Sequence, residues 1–143
     1  MTAKEYLSQY KLLSVRLEMI EANIKATREE RLTLSSSWPD GQPHGTKVGD
    51  PTSQKAIELI SLLEVYETEQ RQLQSMLWSK RIEIIEAIGK VTDPDCYKLL
   101  TLRYIDMLTW EQIASRMGYS YPWVASHLHS KALCLIREIM EEK

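Results

Sequence analysis

The amino-acid sequence predicts an all-α protein: a long, coiled-coil-like antiparallel helical hairpin over residues 1–91, then a small helix–turn–helix domain over 93–143. Three observations predict it. Apolar residues recur three and four apart through two long stretches, the spacing of one helix face. Most of the five glycines and five prolines fall between Pro39 and Pro51, where that periodicity stops. Near the C-terminus, two short amphipathic patterns are separated by Gly118-Tyr119-Ser120.

The first helix is expected over about residues 2–34. Thr2 and Glu5 have the spacing of a capping box. Tyr6, Tyr10, Leu13, Leu17, Ile20 and Ile24 then follow at alternating steps of four and three, a heptad seam flanked by Lys11, Arg16, Glu18, Glu21 and Lys25. Such a helix spans roughly 50 Å at 1.5 Å per residue and cannot bury its stripe against itself. Residues 35–53 carry three prolines and three glycines without periodicity and predict a flexible linker, in which Trp38 is the one residue suited to dock on a helix end. The loop lacks the Gly-rich, Lys-Ser/Thr spacing of a phosphate cradle.

The second long helix is expected over 56–91. Leu63, Tyr66, Leu73, Leu77, Ile84, Ala87 and Val91 form its seam, Gln70 and Lys80 interrupt it, and Ile82, Ile85 and Ile88 widen it near the end. Two such helices joined by a linker pair antiparallel. Their broad stripes leave apolar surface for self-association into a homodimer or higher homo-oligomer, with Gln70 and Lys80 setting register.

Asp93-Pro94 stops that helix and starts the next, Asp as N-cap and Pro in the first turn. Cys96, Leu99, Leu100, Leu102 and Tyr104 give the first helix of the C-terminal domain. Thr109 and Gln112 then form a capping box for a helix bearing Trp110, Ile113, Ala114 and Met117, which Gly118 terminates. Ser120 caps the next helix, Pro122 sits in its first turn, and Val124, Leu128, Ala132, Leu135 and Ile139 share its apolar side. Helix, glycine turn, helix is the pattern of a helix–turn–helix.

These residues also carry a resemblance. Leu99-Leu100-Thr101-Leu102-Arg103-Tyr104, then TWEQIASRMGYS, a valine four residues past the serine, and LHSKAL resemble the fourth region of sigma-70-type factors over about residues 93–139. With the helical N-terminal half and the opening MTAKEYLSQY, the chain is similar to small phage and prophage transcriptional regulators of the ArpU and RinA type. The resemblance implies double-stranded DNA as ligand, RNA polymerase as a further partner, and an approach of Arg103 to Glu111 that pins two helices of the domain together.

In such a motif the start of the second helix enters the major groove. Tyr121, Trp123, Ser126, His127 and Ser130 are then the candidates for base edges, with His129 toward the opposite edge of the helix from His127. Thr109, Arg116 and Lys131 are the candidates for the phosphate backbone, helped by free amides at the helix start beside Thr109. Charge opposes strong binding: the net charge is −2, and from Asp93 onward six Lys/Arg face seven Asp/Glu. Phosphate neutralisation supplies most non-specific affinity, so dimerisation or recruitment by RNA polymerase has to supply the remainder. The alternative is a protein-interaction module on the same fold, a DNA-packaging accessory or assembly factor.

Other classes fit poorly. No apolar run approaches the roughly 18 residues of a membrane span, and no basic, apolar leader opens the chain, so a cytoplasmic location is expected. Cys96 and Cys134 lie outside any Cys-x-x-Cys pair and read as buried thiols. His127 and His129 point to different sides of a helix, which gives no metal site, and no cofactor motif occurs. Carboxylates interleave with lysines as on solvated faces, so no enzyme is expected.

Overall fold

The computed structural model describes residues 1–36 and 51–142, and no strand occurs among them. Five α-helices follow in order: α1 (Ala3–Ser36), α2 (Pro51–Gly89), α3 (Pro94–Leu100), α4 (Trp110–Met117) and α5 (His129–Glu141). A π-helical turn, Thr101–Ile105, extends α3, and a second, Trp123–Leu128, leads into α5. Ser35, Ser36 and residues 51–53, placed in the linker by composition, are helical; the rest of that linker, with Trp38, lies outside the described residues.

The helices divide into two compact units, Met1–Ser14 with Ser75–Lys143, and Val15–Gln74. This division falls inside both long helices and not at the Thr92 turn between 1–91 and 93–143.

In the Val15–Gln74 unit the two helices run antiparallel. Ile24 of α1 and Leu63 and Leu73 of α2 are buried, and Leu17, Ile20 and Tyr66 are half-buried, as the seam predicts; Leu59, one turn before the predicted seam, is buried with them. Arg28 pairs with Glu67 at 2.9 Å and Lys55 with Glu30 at 3.6 Å. Pairs this exposed contribute about 0–1 kcal/mol each, so the apolar seam holds the unit together.

The other unit starts with the capping box: the Thr2 amide donates to Glu5 Oε2 (2.7 Å) and the Glu5 amide to Thr2 Oγ1 (3.1 Å). Tyr6, Leu7 and Tyr10 then enter one core with Ile84, Ala87, Ile88 and Val91 of α2 and its end, Leu99 and Leu100 of α3, Ile113 of α4, and Val124, Ala132 and Ile136. The Tyr6 hydroxyl donates to Glu83 Oε1 (3.0 Å), and Lys80 Nζ sits 3.0 Å from Glu83 Oε2 and 5.8 Å from the Tyr6 ring centroid. Lys80, the polar interruption of the seam, therefore answers an acid and a ring. Ile88 is buried as expected, but Ile82 and Ile85 are exposed, because the third element covers only the side of α2 that carries Ile84 and Ile88.

Candidate nucleic-acid interface

The C-terminal motif is built by its caps. Asp93 Oδ1 accepts from the amides of Asp95 (3.0 Å) and Cys96 (3.1 Å), which starts α3. The Thr109 hydroxyl accepts from the Gln112 amide (3.2 Å) while Gln112 Oε1 accepts from the Thr109 amide (3.0 Å), which starts α4. Gly118 ends α4 at φ 74°, ψ 24°, a left-handed conformation that costs glycine little, and its amide reaches the Ala114 carbonyl at 3.0 Å. Ser120 Oγ accepts a long bond from the Trp123 amide (3.4 Å), in keeping with its expected role as a cap.

Beyond the turn, Val124 and Leu128 are buried on one side and α5 continues that side with Ala132, Ile136 and Ile139. The other side is open. Tyr121 and Trp123 keep 48% and 44% of their surface exposed, and Ser126, His127, Ser130 and Lys131 are exposed beside them. The rings of Trp123 and His127 stack at 4.1 Å, interplanar 24°. Neither aromatic packs into the core of its own chain. Ser126, His127, Ser130, Lys131 and Cys134 line one shallow groove, so Cys134 is exposed there, whereas Cys96 is buried as expected.

The backbone candidates fare unequally. Arg116 is exposed with no ion pair among the described residues. Thr109 spends its hydroxyl and amide in the capping box, so the helix start has fewer free donors than its sequence suggests, and Glu111 stands in that first turn. Lys131 Nζ is held 2.8 Å from Asp93 Oδ2. That contact keeps the Lys131 ammonium above its ordinary pKa and, with the amides of Cys96 and Asp95, holds the Asp93 carboxyl below its own.

Two expectations are corrected. Arg103 makes no ion pair with Glu111; it donates to the Leu108 carbonyl (3.0 Å) and lies over the Trp110 ring at 4.4 Å, while Glu111 is exposed. A carbonyl and a ring face are nearer partners for a half-buried guanidinium than a carboxylate free to stay in water. His129 is not at the helix edge but buried, 2.6 Å from the Tyr104 hydroxyl and edge-on to Trp110 at 4.6 Å. The π-helical turn before it holds more residues than an α-turn, so each advances by less than 100° and the buried side of α5 is rotated toward His129. Burial first, then the nearby cations Lys4 and Arg103, push the His129 imidazole down to about 4, and burial lifts the Tyr104 phenol to about 12.

Among the described residues no group of three His, Cys, Asp or Glu side chains is placed to hold a metal ion, and no helix is long and apolar enough to cross a membrane. Comparison with protein-family models, with curated proteins and with solved structures finds no match to this chain.

Proposed function

We propose that the protein is a DNA-binding transcriptional regulator of the phage type, acting without catalysis in the cytoplasm, with a sigma-like helix–turn–helix and with RNA polymerase as a further partner. One observation carries the reading. A glycine-terminated helix leads into a second helix whose start presents Tyr121, Trp123, Ser126, His127 and Ser130 outward, clear of the core. Serine and histidine can hydrogen-bond base edges, and the stacked Trp123–His127 pair offers a flat face to a thymine methyl or a sugar.

Substitution separates the roles. Ser126→Ala or His127→Ala should relax sequence preference, each true base contact being worth about 1–3 kcal/mol. Trp123→Ala should weaken binding with an unchanged melting temperature, since the ring is exposed. Anisotropy against promoter fragments from the neighbouring genes checks this at about 50 mM salt, where phosphate attraction is strong. A parent chain that binds no DNA there would overturn the reading.

The same surface supports a second reading, a protein-interaction module such as a packaging accessory or assembly factor. Lys131 is already neutralised by Asp93, and Tyr119, Tyr121 and Trp123 expose three aromatic rings within five positions; aromatics are enriched at protein interfaces. Retained partner capture without DNA affinity would favour it.

Self-association belongs to either reading. Val15, Met19, Ile57, Ile60 and Val65 are exposed apolar residues of the Val15–Gln74 unit, as Met76, Trp78, Ile82 and Ile85 are of the other, and a second copy is the proposed cover. Light scattering should report a dimer or larger assembly at high micromolar concentration; a strict monomer would remove the claim.

A further inference from the structure

The strongest unassigned feature is a recess of about 250 Å³ lined by Lys4, Ser8, Lys11, Arg103, Met107 and Trp110, all within one compact unit. Its charge is one-sided: three cations and no carboxylate line it. Lys4, Lys11 and Arg103, like most of the described cations, have no acid within 4 Å among the described residues, so none of the three is neutralised by its own chain. Lys4, Ser8 and Lys11 stand four and three apart, so two ammonium groups and a hydroxyl rise on one stripe of α1. Behind them, Arg103 is fixed by the Leu108 carbonyl and the Trp110 ring.

Met107 lines the same recess with a left-handed backbone, φ 56°, the one such non-glycine residue described. A methionine pays strain there that glycine would not, and such strain gathers where the surroundings fix a loop for use. The neighbouring His129 imidazole is buried and held neutral, which keeps it from adding a fourth positive charge.

We infer that this recess binds a phosphate group. Several cationic and hydroxyl donors arriving from different directions suit a tetrahedral oxyanion with three free oxygens. A carboxylate offers two coplanar oxygens and is matched best by a free guanidinium fork, whereas the Arg103 fork is partly committed to Leu108 and Trp110. The phosphate belongs either to the DNA backbone or to a small phosphorylated ligand; the first source rests on the DNA-binding proposal and the second does not.

The test uses the full chain, titrated with inorganic phosphate at constant ionic strength and followed by NMR. The Trp110 indole and the Ser8 and Met107 amides should shift saturably while the Trp123 indole does not, and Lys4→Gln/Lys11→Gln should weaken that binding at least tenfold. Both lysines are exposed helix residues, so the double variant should fold as the parent does. If the phosphate is DNA-borne, the double variant should also lose about two units of salt slope in DNA binding, one for each lysine. A saturable phosphate response with an unchanged slope, or with no DNA binding at all, assigns the recess to a small ligand. Shifts that rise linearly, that the double variant retains, or that acetate reproduces at equal concentration would overturn the phosphate assignment, whatever the chain does with DNA.

Discussion

Leu7→Ala is expected to destabilise the unit formed by Met1–Ser14 and Ser75–Lys143 by about 2–5 kcal/mol, the range for emptying a fully buried leucine site. Leu7 lies in the second turn of α1, yet its side chain has no exposed surface and shares one core with Leu99, Ile113, Val124 and Ile136. The removed methyl groups lose their burial, and the cavity adds to the cost because the surrounding helices cannot fully collapse around it. Denaturant unfolding followed through Trp110, which packs edge-on against His129, reads the unit directly. Leu12→Ala serves as the control: with 55% of its surface exposed it should stay within about 0.5 kcal/mol of the parent. An equally small effect of Leu7→Ala would mean that residues 93–143 fold without the first helix.

Acid should unfold this unit earlier than its carboxylates alone would dictate. The His129 imidazole titrates near its ordinary value of about 6.5 in the unfolded chain but at about 4 in the folded one. Between those values the unfolded chain binds the proton that the folded chain refuses. The stability contributed by neutral His129 is complete above about pH 6.5, declines as pH falls, and is lost by about pH 4, roughly 3 kcal/mol in all. Asp93, whose carboxyl is held down by Lys131 and the α3 amides, acts in the same sense as His129 but below this window: its contribution disappears only as pH drops through its lowered value. Urea midpoints at a series of pH values should slope between 6.5 and 4 in the parent and flatten in His129→Gln. A parent curve that is flat over that interval would remove the buried imidazole from the account.

Local signals were read well from the sequence because they act over one or two turns. The two capping boxes at Thr2 and Thr109, the Asp93-Pro94 start and the Gly118 stop all fall where their spacing predicts. The seam residues Tyr6, Tyr10, Leu13 and Ile24 are buried for the same reason, since a 3.6-residue period needs no knowledge of the partner. What failed depends on distance or on phase. Nothing in the sequence announces that Lys131 will meet Asp93, or that Lys4 and Lys11 will share a recess with Arg103. His129 was misplaced because a uniform 100° projection carries no π-turn, and Ile82 and Ile85 because periodicity cannot say how wide a face the next element will cover. The groove-facing candidates Tyr121 to Ser130 were legible as an open side of the helix; which molecule lies against that side is a matter of chemistry beyond the chain.

Asp93 divides its two oxygens between different tasks: Oδ1 holds the first amides of α3, and Oδ2 holds Lys131. A phosphate could therefore draw Lys131 away without loosening the helix start. The exchange leaves Asp93 Oδ2 open to a cation from solution, just as the phosphate gives one up. Such a contact trades one anion for another and returns almost no net ion to the solvent, so a salt titration would be nearly blind to it. A shallow salt dependence in this protein would then count too few phosphates, and the lysine nearest the groove would be the one missed.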